Sequence, residues 1–274
     1  MINFLRKHEI WIVLSLILLV NAVFVTSVVG GLIPIGAYDL GRFALLGTVL
    51  FGAVFLIRGV EGVLDILRPM MVWKRSPFLY LFAIAWTVVL CLVVLTVKGG
   101  ITGEMLLSRE NLEPGLSKLL YPRLILTLLV SSFIGEMVWV SYAVRRLSRW
   151  FTFYESALIV GAVWTAWWLP MAINNFGIIP DLPLIALLFN QMGIAAMCAL
   201  VYYRTGSGLL VLFMQIMFNA TILVFPITPG VGGVGTYWAF ALTYFSAATL
   251  LFIRFGPRPL FSRLKSAPME KATV

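Results

Sequence analysis

Apolar residues run through this chain in stretches of about twenty, parted by short polar punctuation. A membrane-spanning helix needs about 20 mostly apolar residues. Eight stretches qualify: 10–32, 43–60, 78–97, 122–143, 155–173, 183–203, 207–225 and 236–254. Pro, Gly, Asn or charged residues mark most of the gaps. Only Thr205, Gly206 and their immediate neighbours part the sixth stretch from the seventh, which predicts a tight helical hairpin. The pattern predicts an all-α fold, a polytopic membrane bundle of about eight transmembrane helices. It divides into three parts: helices one to three with their connection (1–121), a four-helix core (122–225), and a last helix with a basic tail (226–274).

Composition sharpens this reading. Of 274 residues, 61% are hydrophobic and 11% charged, whereas soluble chains carry about 25% charged residues. The lipid bilayer is the expected surrounding. The net charge of +9 does not point to nucleic acid, because the basic residues sit in short loops as topology signals do. With the N-terminus cytoplasmic, fifteen of the twenty Lys and Arg fall on the inside. Both termini are then cytoplasmic, and a prokaryotic plasma membrane is the default setting. Arg6 and Lys7 before Ile10–Val29 resemble a signal peptide, but the apolar run is too long and is expected to be a retained span.

The connections carry little chemistry. Arg58 to Pro77 mixes charged and apolar residues and fits either an interfacial amphipathic helix or a basic loop. Lys98 to Lys118 contains SRENLEPG, which predicts a short helix stopped at Pro114-Gly115. PITPGVGGVG (Pro226 to Gly235) lacks the phosphate-loop pattern and is expected to be a flexible turn. The tail after Arg254 is expected to be solvated or to lie on anionic lipid.

Candidate chemistry sits in three spans. PRLILTLLVSSFIGEMVWVSYA (Pro122 to Ala143) holds one carboxylate, Glu136, with Val140 one helical turn on. A charge near the bilayer centre costs roughly 2.5–3.5 kcal/mol on insertion scales, so such a residue is a functional candidate by default. The plain alternative is a protonated Glu136 bonded to a neighbouring helix. Ser131, Ser132 and Gly135 would let that helix approach closely. WTAWWLP places Trp164 and Trp168 four residues apart, as a cavity wall or an interface belt. MQIMFNAT places Gln215 and Asn219 on one stripe, and Asn190 and Gln191 lie on the helix before. Amides in membrane helices commonly serve as packing glue. Cys91 and Cys198 lie in apolar runs and the one histidine, His8, precedes the first span, so no metal site and no cofactor is expected.

Taken together, GEMVWVSYAVRRL, WTAWWLP and RTGSGLLVLFMQIMFNAT resemble the CAAX protease and bacteriocin-processing (CPBP, or Abi) family of intramembrane glutamic endopeptidases. The resemblance covers about Leu124 to Val224. Glu136 falls on the second glutamate of the family's Glu-Glu pair and Trp139 on its tryptophan. Trp164, Trp167, Leu169 and Pro170 fall on the aromatic-proline frame, Arg204 to Ser207 on the turn, and Asn219 on the final asparagine. Four polar positions differ. Gly135 stands for the first glutamate, Val140 for the arginine, and Trp168 and Gln215 for the two histidines. A general base must reach its water, and the groups that would hold it and stabilise an oxyanion are missing. The resemblance therefore implies a CAAX-protease-like scaffold of lost proteolytic activity, binding a membrane-embedded or lipidated peptide or protein. Glu136, Gln215 and Asn219 are expected to form a hydrogen-bonded cluster, with Trp164 and Trp168 as a wall. An active endopeptidase with Glu136 as catalytic base is the alternative. A transporter or channel with Glu136 as ion site is a third, opposed by the absence of an inverted repeat.

Overall fold

The computed structural model describes residues 2–176 and 181–261. The last thirteen residues, which hold most of the basic tail, lie outside them. The long helices are α1 (Ile2–Val29), α2 (Tyr38–Leu67), α3 (Pro77–Thr102), α4 (Arg109–Lys118), α5 (Pro122–Gly135), α6 (Phe153–Ile173), α7 (Leu184–Thr205), α8 (Gly208–Val224) and α9 (Val234–Phe255). Among the described residues there are eight helical spans long and apolar enough to cross a membrane, and no strands. α4 is the one long helix outside that set. The fold is an all-helical bundle, as the hydropathy pattern predicts.

Close helix packing explains which faces meet. α6 and α9 both pack extensively on α7. A Cβ added to Gly161 of α6 would lie 2.5 Å from the Met192 Cα of α7. One added to Gly193 of α7 would lie 2.9 Å from the Phe245 Cα of α9. Lipid tails are as apolar as leucine, so membrane helices associate through such close van der Waals approach. α7 is consequently the most enclosed span, with 72% of its apolar window buried. Its neighbour α8 follows through the turn Arg204 to Ser207. Gly206 takes φ +64° and donates its N–H to the Tyr202 carbonyl at 2.7 Å. Ser207 then caps α8 by accepting from Leu210 N (3.3 Å) and donates its hydroxyl to the Val72 carbonyl (2.5 Å). The left-handed residue that ends one helix is thus followed at once by the cap that starts the next.

One connection settles between two alternatives, and two differ from expectation. α2 runs on past its apolar stretch, with one non-helical residue at Gly59 (φ +68°) before about two further turns that bury Gly62 and Ile66. Apart from Gly59, Arg58 to Leu67 is thus helical, the first of the two alternatives open for this segment. α4 does not stop at Pro114-Gly115 but passes through both. A Cβ on Gly115 would lie 2.6 Å from the Val224 Cα, so contact with α8 outweighs the one backbone bond that Pro114 forfeits. The glycine-rich turn contains a short helix, Pro229–Gly232, with Pro at its first position and Gly233 in the positive-φ region after it. That is the order in which Pro and Gly favour helix ends.

Candidate functional site

Glu136 is fully buried. It opens nine residues of π-helix, Glu136–Val144, that continue α5 into a last α-turn at Arg145–Leu147. The register is visible at the exit, where Arg145 N–H reaches back five residues to the Val140 carbonyl. π-turns are rare and occur mostly at functional sites. Their local effect here is concrete. In an α-helix, residues five apart point roughly 140° away from each other. In the π-turn Ser141 faces Glu136 and donates its hydroxyl to Glu136 Oε1 at 2.6 Å. The spacing of four places Val140 beside the acid; the structure places Ser141 there, because the extra residue per turn shifts the register.

Glu136 Oε2 has no hydrogen-bond partner among the described residues. The carboxylate lies against the first residue of α8. A Cβ on Gly208 would come within 2.8 Å of Glu136 Oε1 and 3.2 Å of Pro69. Arg145 offers no direct pairing, since its Nη2 is held by the Asp65 carboxylate at 2.8 Å and the Asp65 carbonyl at 2.7 Å.

Gln215 and Asn219 are on the adjoining face of α8, but the expected three-way cluster resolves into separate contacts. Gln215 is buried, and its Oε1 sits where the side chain of residue 135 would begin, 2.5 Å from a Cβ built on Gly135. Its Nε2 has no partner. Asn219 Nδ2 donates to Ser132 Oγ at 2.9 Å, and that hydroxyl donates to the Leu128 carbonyl at 2.7 Å. The two departures from the family pattern at 135 and 215 therefore fit one another: loss of a side chain on α5 makes room for the amide from α8. Bonds this local leave no direct link between Glu136, Gln215 and Asn219 among the described residues.

The tryptophans form a chain of rings. Trp164 stacks on Trp139 at 5.4 Å, Trp139 meets Trp167 edge-on at 6.3 Å, and Trp167 meets Trp168 edge-on at 5.7 Å. Such pairs add about 0.5–1.5 kcal/mol beyond area burial. The chain leads from the π-segment to a second polar centre that the sequence reading passed over as a loop charge. Arg42 on α2 is only 3% exposed. Its Nε donates to Asn21 Oδ1 (2.9 Å) and its Nη2 to the Trp167 carbonyl (3.1 Å), to which Asn21 Nδ2 also donates (2.7 Å). Its guanidinium carbon lies 3.4 Å from the Trp167 ring centre and 4.8 Å from that of Trp168. Two signals could have found it: Asn21 is the one amide in the apolar run Ile10–Val29, and Tyr38 and Arg42 stand one turn apart.

Arg42 and Trp168 line a cavity of about 560 Å³, a size that suits a small organic ligand. Asn190, Gln191 and Asn219 are also in its wall, whereas Glu136, Gln215 and Trp164 are not. The sequence-predicted residues are thus split. Trp168 and Asn219 face the cavity; Glu136 and Gln215 are packed away from it. Among the described residues no three His, Cys, Asp or Glu side chains are grouped to hold a metal ion.

An ion-paired strap ties the other side of the bundle. Arg146 donates to Glu9 at 2.7 Å, Glu9 lies 3.8 Å from Arg58, and Arg58 and Arg145 share Asp65 at 3.0 and 2.8 Å. It joins α1, α2 and the end of the α5 span, and it accounts structurally for arginines beyond the π-segment.

The helical membrane bundle, with a buried glutamate on a π-turn, an aromatic-proline helix and a capped hairpin in its central spans, is similar to a CAAX-protease-like membrane protein. Comparison with known families agrees. Residues 117–221 match the family described as type II CAAX prenyl endopeptidase Rce1-like, over nearly the stretch on which the motif resemblance rests. No curated protein matches the chain.

Proposed function

We propose that this protein is a CAAX-protease-like scaffold without proteolytic activity, which holds a membrane-embedded or lipidated peptide or protein. The observation that carries the reading is the separation of acid from cavity. Glu136 is fully buried and absent from the cavity wall, and Gln215 Oε1 fills the space at Gly135 where the family's water-activating glutamate would project. A general base has to sit within hydrogen-bond reach, directly or through one water, of the proton it takes. The positive-inside bias supports both termini on the cytoplasmic side, and the core 122–225 as the binding part.

A cleavage assay tests this in detergent and in liposomes, with prenylated CAAX peptides and a transmembrane peptide library. Native protein is expected to be inert and to retain a bound molecule through purification. The comparator carries Gly135→Glu, Val140→Arg, Trp168→His and Gln215→His together. Cleavage by native protein that Glu136→Gln abolishes would sink the reading and make Glu136 a sufficient base.

A further inference from the structure

We propose that the cavity beside Arg42 binds one anionic glycerophospholipid. The guanidinium of Arg42 and the indole N–H of Trp168 hold its phosphate, and the Asn190 and Gln191 carbonyls accept from headgroup hydroxyls. This goes beyond the scaffold reading and stands whether or not the protein cleaves peptides.

Four observations lead there. Arg42 is a buried cation that forms no ion pair among the described residues. Asp39 acts on it at electrostatic range but does not come within ion-pair distance, and the Tyr38 hydroxyl beside the guanidinium interacts with it without a hydrogen bond of ordinary geometry. Buried charges are ordinarily paired. Second, Nε and Nη2 of Arg42 are engaged by Asn21 and the Trp167 carbonyl, while Nη1 makes no hydrogen bond to the described residues and belongs to a residue in the cavity wall. Fixing one edge of the guanidinium while leaving the other free preorganises it for an anion. Third, Trp168 Nε1, Asn190 Oδ1 and Gln191 Oε1 are buried in the same wall without partners. An unmade bond at such a group costs about 1–3 kcal/mol. Two donors and two carbonyl acceptors suit a head that carries both an anion and hydroxyls.

The fourth observation favours a lipid over a peptide. The opposite wall, from α5 and α8, presents Leu124, Leu128, Phe218 and Ile222. Its hydroxyls are already used: Thr127 donates to the Arg123 carbonyl at 2.9 Å and Ser131 to the Leu128 carbonyl at 3.0 Å. Apart from Asn219, whose Nδ2 is taken by Ser132, that wall offers an acyl chain an apolar surface and offers a peptide backbone few partners.

The test is native mass spectrometry of the purified full chain in mild detergent. The probes are phosphatidylglycerol, phosphatidylcholine with the same acyl chains, glycerol phosphate and a prenylated peptide with a free carboxylate. Phosphatidylglycerol is expected to bind in preference to the other three. Arg42→Gln should weaken it about tenfold or more, the worth of a charged hydrogen bond. Because Arg42 also ties α1 to α6, Trp168→Phe and Gln191→Leu are read alongside; each keeps Arg42 and should weaken binding about threefold or more, as a neutral hydrogen bond would. Equal binding of phosphatidylcholine, saturation by glycerol phosphate alone, or native affinity in both of the last two variants overturns the proposal. Binding of the peptide without phosphatidylglycerol overturns it too, and would assign the cavity to a carboxylate-ended chain.

Discussion

Two buried ionisable groups, Glu136 and Arg42, are housed in opposite ways. Glu136 is met by one neighbour on its own helix, Ser141, leaves Oε2 unpaired, and lies sealed between the π-segment, Pro69 and the start of α8. Arg42 is met by groups from two other helices, is flanked by two indole rings, and borders open volume. The acid follows the family motif and has no access; the arginine falls outside the matched region and has it. Where a motif's charge sits and where a membrane protein can meet a ligand are separate questions. The second is decided by how neighbouring side chains fill or leave space.

The sharpest way to break the contrast is to remove each charge's support. Arg42→Met leaves Asn21 Oδ1 without its donor and parts α1, α2 and α6. It should cost about 3 kcal/mol or more, because several bonds to a buried charge are lost together. Unfolding in a graded denaturing detergent measures it, with the loss expected to appear first as exposure of Trp167 and Trp168. A cost under about 1 kcal/mol would mean that Arg42 is held for binding and not for the fold. Ser141→Ala removes the single donor to Glu136 Oε1 and should cost about 1–3 kcal/mol, the desolvation penalty of a buried acceptor. If its stability is native, a nearby group must replace the hydroxyl and the π-register is not needed for Glu136.

The next expectation concerns the space at Gly135. Gly135→Ala forces the Gln215 amide to move, and Gln215→Ala removes that amide. The two changes should couple, with the double variant better than the sum of the singles by about 1 kcal/mol, within the range seen for residues in contact. Additivity in the same unfolding assay would separate the two positions and remove the main support for a filled active site.

The bundle was legible from periodicity because lipid leaves the chain few choices: each long apolar run must satisfy its backbone internally, so it must be a helix. The hairpin at Arg204 to Ser207 was legible for the same local reason, since Gly and Ser serve end and start within two residues. The sites were only half legible. Glu136 stood out as a lone charge, but its partner did not, because a π-turn shifts the register by one residue and no propensity signals that shift. The contact between Gly135 and Gln215 needs two helices docked. Arg42 counted as a loop charge because its span was drawn from 43, whereas α2 starts at Tyr38. Pro114 looked like a helix stop because contact between α4 and α8 cannot be seen along the chain.

The smallest expected effect decides what Glu136 is for. Glu136→Gln keeps the shape and keeps an oxygen for the Ser141 hydroxyl to reach. It replaces the unpaired Oε2 with an amide nitrogen. Near-isosteric exchange at a site without an ion pair should change stability by less than about 1 kcal/mol, since surrounding packing and the one hydrogen bond are retained. Thermal unfolding in detergent reads this directly. Paired with Arg42→Met, the result tests the asymmetry of the two charges. A large loss at Glu136→Gln would mean that the acid needs its second oxygen ionised and held by something near Pro69 or Gly208, which would restore a structural reason for the glutamate to stay. A small loss leaves the bundle standing on packing and on Arg42, with Glu136 dispensable to the fold.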